Sequence, residues 1–328
     1  MDAVLGLDCG QTSTKACLVA LDGALVARGR GGAVAPLLSP AGFARSERSV
    51  REALAGLKAA LGDRPVCVRA AVVGFSGILR EFEETVAGWV RGHFPADRVA
   101  VLGDAPVNLA GEPEPPARTV VVIAGGGSVA WAVGADGAEV VSGGWGHTFG
   151  DEGSGWWLGR SAVTAALRAI DGRGPATLLT NAVAAYFGVD DPGAVKHRYN
   201  AGAITDSDLA GLVPRIVAVA ADGDAVARDL LAAAGRELGL AAAAVIRRAG
   251  WTHETPTVLA TGGVFAAGPL LWDPFARTVR EVAPSAAVRR PRFEPVVGAA
   301  LLALRQLDVD LTPALLDRLE KSLEVFHP

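Results

Sequence analysis

Cysteine is scarce in this sequence: Cys9, Cys17 and Cys67 are the only three among 328 residues. Their odd number and lack of metal-ligand spacing exclude a disulfide framework and a cysteine-built metal site, so a reducing, cytoplasmic setting is expected. Lysine is nearly as rare, with Lys15, Lys58, Lys196 and Lys321 the four among 31 cations, and no basic run exists. The densest cationic cluster, Arg289, Arg290 and Arg292, reads as a solvated loop; with a net charge of −4, nucleic acid is not an expected partner. An apolar run of about 18 residues is also missing, and no charged n-region precedes the first apolar stretch, so neither a membrane span nor a secretory signal is expected. What is abundant is apolar residues, 50% of the chain, together with 41 glycines and 19 prolines. That apolar content excludes disorder, and the absence of a short period in Gly or Pro excludes a collagen-like chain. At roughly 100–200 residues per domain, two domains fit.

Local patterns divide the chain in the same way. Ala3–Leu7 is an apolar strand ending in Asp8, followed by a polar turn, the strand Lys15–Leu21, an Asp22-Gly23 hairpin signal and a returning strand, Ala24–Arg30. Ser46 is expected to cap a helix over Val50–Leu61. The strand Val66–Val73, a helix over Glu81–Arg91, the strand Val99–Leu102 and a short helix near Pro106–Ala110 complete a β-β-β-α-β-α-β-α order. Glu112-Pro113-Glu114-Pro115-Pro116 reads as an extended boundary. Beyond it the opening repeats: strand Thr119–Ala124, turn Gly125-Gly126-Gly127-Ser128, strand Val129–Val133, hairpin Asp136-Gly137, strand Ala138–Ser142. An internal duplication of a β-meander follows. A glycine-rich loop over Gly143–Gly155, mostly helical sequence to Gly250, the strand Thr257–Ala260 and helices over Leu270–Arg280, Val296–Arg305 and Pro313–Leu323 close the chain.

Two Gly/Thr/Ser-rich first turns in matched contexts suit one polyanion, because glycine admits close backbone approach and successive amides converge on a phosphate. At these residues the chain resembles the actin, Hsp70 and sugar-kinase ATPase superfamily. Asp8-Cys9-Gly10-Gln11-Thr12-Ser13-Thr14-Lys15 is similar to its first phosphate motif, Gly125-Gly126-Gly127-Ser128 to its second, and Thr261-Gly262-Gly263-Val264 to its adenosine motif. The stretch Gly143-Gly144-Trp145-Gly146-His147-Thr148-Phe149-Gly150-Asp151-Glu152-Gly153-Ser154-Gly155-Trp156-Trp157-Leu158-Gly159 closely resembles the signature loop of N-acetylglucosamine kinases of the BadF/BadG/BcrA/BcrD group.

The resemblance implies an α/β protein of two ribonuclease H-like (actin-like ATPase) domains flanking a nucleotide and sugar cleft. Residues 1–115 would form the first. Residues 116–328 would form the second, with a helical insertion and a last helix that is a candidate to pack back on the first. It further implies ATP and Mg2+ as cofactors and transfer of the γ-phosphoryl group to the 6-hydroxyl of N-acetylglucosamine or a related amino sugar. Asp8 would hold hydrated Mg2+. Gly10, Thr12, Thr14, Lys15, Gly125, Gly126, Gly127 and Ser128 would grip the phosphates, and Gly262 and Gly263 would meet the nucleoside. Asp104 would be the base that takes the acceptor proton, although an Asp at that spot also suits a helix N-cap. Ser76, Gly77, Asp104, Gly144, Trp145 and Asp151 would contact the sugar. His147 reads as a structural histidine, and Trp156 and Trp157 as core residues. A small-molecule sugar is the expected partner, with a homodimer the expected assembly of such kinases.

Two departures bear on the acceptor. Gly126 replaces the usual threonine of the second phosphate motif, and Ala33-Val34-Ala35-Pro36-Leu37-Leu38 is apolar where an asparagine commonly meets the sugar. Two further readings follow from them: a kinase of a less polar acceptor, and a sugar sensor that has lost turnover, against which Asp8 and Asp104 argue. The related iron–sulfur activators of 2-hydroxyacyl-CoA dehydratases need paired cysteines that are missing here. A Rossmann dehydrogenase needs a third glycine where Ala130 stands.

Overall fold

The computed structural model describes residues 1–325. In chain order it comprises β1 (Asp2–Cys9), β2 (Thr14–Ala20), β3 (Leu25–Gly31), α1 (Pro40–Leu61), β4 (Cys67–Phe75), α2 (Glu83–Arg91), β5 (Ala96–Leu102) and α3 (Asp104–Ala110). Then follow β6 (Thr119–Ala124), β7 (Ser128–Val133), β8 (Glu139–Gly143), α4 (Gly146–Phe149), α5 (Gly155–Ile170), α6 (Leu179–Phe187), α7 (Ala194–Asn200), α8 (Asp206–Ala210), α9 (Val213–Ala221) and α10 (Ala225–Arg248). The chain ends with β9 (Thr257–Thr261), α11 (Pro269–Val282), β10 (Ala287–Arg289), α12 (Pro295–Arg305) and α13 (Pro313–Val325).

Two compact units result. One holds Met1–Pro115 and the chain from Pro291 onward, the other Pro116–Arg290. Each is built on a five-stranded mixed sheet, ordered β3-β2-β1-β4-β5 in the first and β8-β7-β6-β9-β10 in the second. The meander strands pair antiparallel, and the crossover strands add parallel to β1 and to β6. The duplication visible in the sequence is thus a duplication of topology. Both hairpins close with the same chemistry: Asp22 Oδ1 accepts the Ala24 N–H at 3.1 Å, and Asp136 Oδ1 accepts that of Ala138 at 3.0 Å.

The period of two along a strand sends alternate residues to opposite faces, which decides what the first sheet can present. Ala3, Leu5, Leu7 and Cys9 pack with Val50, Leu54 and Leu57 of α1 and Val86 and Val90 of α2. On the other face Val4, Cys17 and Val19 meet Val296, Ala300 and Leu304 of α12. Gly6 is required there, since a Cβ would lie 2.4 Å from the Val296 carbonyl oxygen; α12 rests directly on the strand. The second unit has its own core, joining Val120, Val122 and Ala130 of the sheet to Leu158, Leu231, Leu238 and Phe275 of the surrounding helices.

Several local expectations are corrected. Helix α1 starts six residues before Ser46, with Ser39 as N-cap accepting the Gly42 N–H at 3.1 Å and Pro40 in the first turn, a pairing with a stronger start signal than a lone serine. Ser46 is a fully buried residue inside the helix, and its hydroxyl accepts from the Ala35 N–H and donates to the Ala35 carbonyl. The arginines at 289–292 are exposed, with Arg290 and Arg292 in a loop as expected, but they are not free: Arg289 closes β10, Arg290 donates to the Phe265 carbonyl at 2.7 Å, and Arg292 meets Asp317 and Glu320 of α13. The chain from residue 291, not the last helix alone, belongs to the first unit. All three cysteines are free, and no helix among the described residues is long and apolar enough to cross a membrane.

Candidate active site

In the first unit the expected acidic and hydroxyl groups gather at the C-terminal ends of three adjacent parallel strands. Asp8 is the penultimate residue of β1, Ser76 follows β4, and Asp104 follows β5 as the first residue of α3. Open α/β sheets bind ligands at this edge, because the strands end there together and helix N-termini point toward it. The Ser76 N–H donates to the Cys9 carbonyl at 3.0 Å, prolonging the β1–β4 ladder and fixing the loop that carries Ser76 and the exposed Gly77. The β1–β2 turn closes with the Gly10 N–H donating to the Ser13 carbonyl at 3.1 Å.

Strand alternation sorts the first motif. Asp8 pairs across from Lys15, and Cys9 from Thr14, so Asp8 and Lys15 share the face covered by α12, while Thr14 lies on the opposite, α1-facing side. The fully buried Thr14 side chain therefore stands with the Cys9 thiol and is not brought to Asp8, whereas Thr12 is exposed in the turn. Lys15 Nζ lies 2.9 Å from Glu294 Oε2, the N-cap residue of α12, and Arg28 pairs with the other oxygen of that carboxylate.

Burial raises the Asp8 carboxyl to about 6, against the pull of the Lys15 ammonium and helped by the Asp104 carboxylate. Asp104 is also pushed up by burial, while the Ser76 hydroxyl and the N–H groups of Asp104 and Ala105 pull it back. Two carboxylates at a strand edge that both lack enough positive charge suit a hydrated dication. Among the described residues no group of three or more acidic, histidine or cysteine side chains could hold a metal by itself.

In the second unit the glycine turn Gly125–Gly127 joins β6 to β7, and its carbonyls rest on the start of α5: Gly155 N–H donates to Gly125 at 2.8 Å and Trp156 N–H to Gly126 at 3.3 Å. Among the described residues the Gly126 and Gly127 N–H groups have no acceptor. Ser128 is engaged within the unit, its N–H with Asp151 Oδ1 at 3.1 Å and its hydroxyl with the Glu152 carbonyl at 2.8 Å. Gly262, φ 98°, would drive a Cβ to 2.2 Å from the Ala124 carbonyl oxygen. The adenosine-like motif thus sits against the end of β6, beside the glycine turn, and Gly263 begins the 3-10 turn that follows.

The signature loop presents Gly144 and a Trp145 that is 75% exposed, with Phe149 82% exposed one turn on. Asp151 points inward instead: it is 3% exposed at φ 58°, with its carboxylate on the glycine turn and 3.5 Å from His147 Nε2. Sequence reasoning missed Asp206, which accepts from Trp156 Nε1 at 3.0 Å and from the Tyr199 hydroxyl at 2.6 Å and lies 3.1 Å from His147 Nδ1. It also missed Glu294. Neither carries a local motif.

Paired meander units with acidic strand ends in one and a glycine turn in the other define the two-domain α/β fold of actin-like ATPases. The chain belongs to the BadF/BadG/BcrA/BcrD ATPase family, which it matches over residues 5–303. It is similar to an N-acetylmuramic acid/N-acetylglucosamine kinase from Clostridium acetobutylicum, 28% identical over 238 residues that cover 72% of this chain and 77% of the relative. An N-acetyl-D-glucosamine kinase from Dictyostelium discoideum is 28% identical over 246 residues, 74% and 77% of the two chains. Among solved structures, a candidate N-acetylglucosamine kinase from Chromobacterium violaceum superposes with a TM-score of 0.70 at 30% identity, over 92% of this chain and 98% of that one.

Proposed function

We propose that this protein is an ATP-dependent kinase that phosphorylates the 6-hydroxyl of N-acetylglucosamine or a related amino sugar. The observation that carries the reading is the placement of Asp8, Ser76 and Asp104 at the ends of three adjacent parallel strands, in a family whose relatives are named as kinases of such sugars. Phosphoryl transfer asks a protein chiefly to position and neutralise charge. Asp104 is the base: burial raises the affinity of its carboxylate for the proton it takes from the acceptor hydroxyl as the oxygen attacks the γ-phosphorus. The Ser76 hydroxyl, which bonds that carboxylate, keeps it turned toward the acceptor. Asp8 holds hydrated Mg2+, which when bound neutralises charge on the phosphate oxygens. Within the second unit, the unpartnered N–H groups of Gly126 and Gly127 are free to take phosphate oxygens, an ability that the loss of the threonine hydroxyl at 126 leaves intact, and Trp145 presents an exposed ring suited to the apolar face of a sugar.

In the apolar 33–38 loop Ala33, Val34 and Leu37 are buried, Val34 and Leu37 as part of the first core, so their character reports packing, while Pro36 and Leu38 stand exposed, Leu38 at 73%. A screen for ADP release over hexoses, amino sugars and N-acetylated amino sugars tests the reading. Turnover is expected with an amino sugar, and silence across the panel with nucleotide still bound would establish the sensor instead.

A further inference from the structure

We infer that His147 is a positioning residue: held by Asp206 and Trp156, it fixes the Asp151 carboxylate against the Ser128 N–H and so joins the signature loop to the glycine turn as one rigid piece. The inference rests on the kinase reading for its consequence, since that turn is where the phosphates are expected. Three contacts set the ring. It stacks on Trp156 with centroids 4.7 Å apart and planes 5° from parallel, its Nδ1 lies 3.1 Å from Asp206 Oδ2, and its Nε2 lies 3.5 Å from Asp151 Oδ2.

Asp206 decides which nitrogen carries the first proton. Burial would raise its carboxyl, but hydrogen bonds from Tyr199, His147 and Trp156 outweigh burial and hold it below its ordinary value. An ionised acceptor there draws the proton to Nδ1. The opposite nitrogen and Asp151 Oδ2 are both sealed from solvent, and neither has a hydrogen-bond partner. They face one another at 3.5 Å with no other polar partner, so the imidazole is the group that bounds this carboxylate oxygen. The other carboxylate oxygen already takes the Ser128 N–H, and the group lies so close to Gly127 that a Cβ there would meet it at 2.9 Å. Asp151 itself is held at a positive φ unusual for a non-glycine residue, a backbone that needs its surroundings to fix it. Pulling on His147 therefore moves the turn through Asp151.

The test uses the full chain with His147→Ala, amide hydrogen exchange and titration with a non-hydrolysable ATP analogue. Exchange at the Gly125 and Ser128 amides, the two in the turn that have acceptors, should quicken about tenfold and the analogue's Kd rise about tenfold, the scale of one weakened buried hydrogen bond. Segments of β1 and β4 should keep their protection. The His147 side chain is 26% exposed, so added imidazole can enter the vacated slot over Trp156 and should partly reverse both effects. Exchange and Kd within twofold of the parent would overturn the inference, as would loss of protection throughout the molecule with no response to imidazole. If the alanine variant fails to fold, His147→Gln keeps much of the volume but cannot span both carboxylates, and the same signs are expected at smaller size; no change would be equally fatal. The exchange measurement needs no turnover, so failure of the kinase reading shows separately, as parent protein that releases no ADP with any amino sugar.

Discussion

Asp104 and Asp8 both sit where burial disfavours their charge, and each responds to substitution in its own way. Asp104→Asn removes a proton acceptor without altering volume, so turnover should fall by about 10²–10⁴-fold while nucleotide affinity stays within about threefold. Steady-state kinetics beside analogue titration checks this, and unimpaired turnover would remove Asp104 from the base role. For Asp8 the raised carboxyl is a statement about stability. Between its ordinary value of 3.8 and about 6 the folded protein holds a proton that the unfolded chain has released. The stabilisation is thus complete below pH 4 and is lost as pH climbs through 6, by at most about 3 kcal/mol. Asp8→Asn should flatten that slope and raise the melting temperature of the ligand-free protein at pH 7.5, while weakening metal–nucleotide binding. Thermal unfolding across pH 4–8 reads it; equal slopes in the two proteins would show that Asp8 is not the responsible group.

Elements that speak through short-range pattern were legible in the sequence. The two meanders announce themselves by alternation and by Asp-Gly turns, and Asp8 and Asp104 could be placed because each directly ends a strand or opens a helix. What was not legible depends on partners far along the chain. Trp156 and Asp206 are 50 residues apart and Lys15 and Glu294 are 279 apart, so no local window holds either pair. Thr14 shows a different limit: the motif names it, but a period of two turns it toward Cys9 and away from Asp8. Ser46 combines both effects, because a serine that looks like a helix start is instead the anchor of the preceding loop. Ser46→Ala should leave the Ala35 N–H and carbonyl without their partner, costing about 1–3 kcal/mol and speeding exchange over residues 33–38. Denaturant unfolding that matches the parent would show that these groups find another partner.

At the scale of the whole molecule, sequence order and domain membership part company after residue 290. Val296, Val297, Ala300, Leu301 and Leu304 are all 0–1% exposed and form one side of the core over Val4, Cys17, Val19, Ala70 and Val72. Helix α13 adds Leu315, Leu316 and Leu319 to the same cluster. A large apolar side chain buried there contributes about 1.5–3 kcal/mol, and a domain's net stability is only about 5–15 kcal/mol. Ending the chain at residue 290 should therefore unfold the first unit although 115 of its residues remain, whereas residues 116–290 hold a complete core and should fold alone. The shortened chain is expected to bind a hydrophobic dye and to show one cooperative transition, that of the second unit. Adding residues 291–328 back in trans at high concentration should quench the dye. A 1–290 chain that leaves the dye dark and melts with the amplitude of the full protein would mean that the β1–β4 face does not need α12, contrary to the close seating of that helix on Gly6.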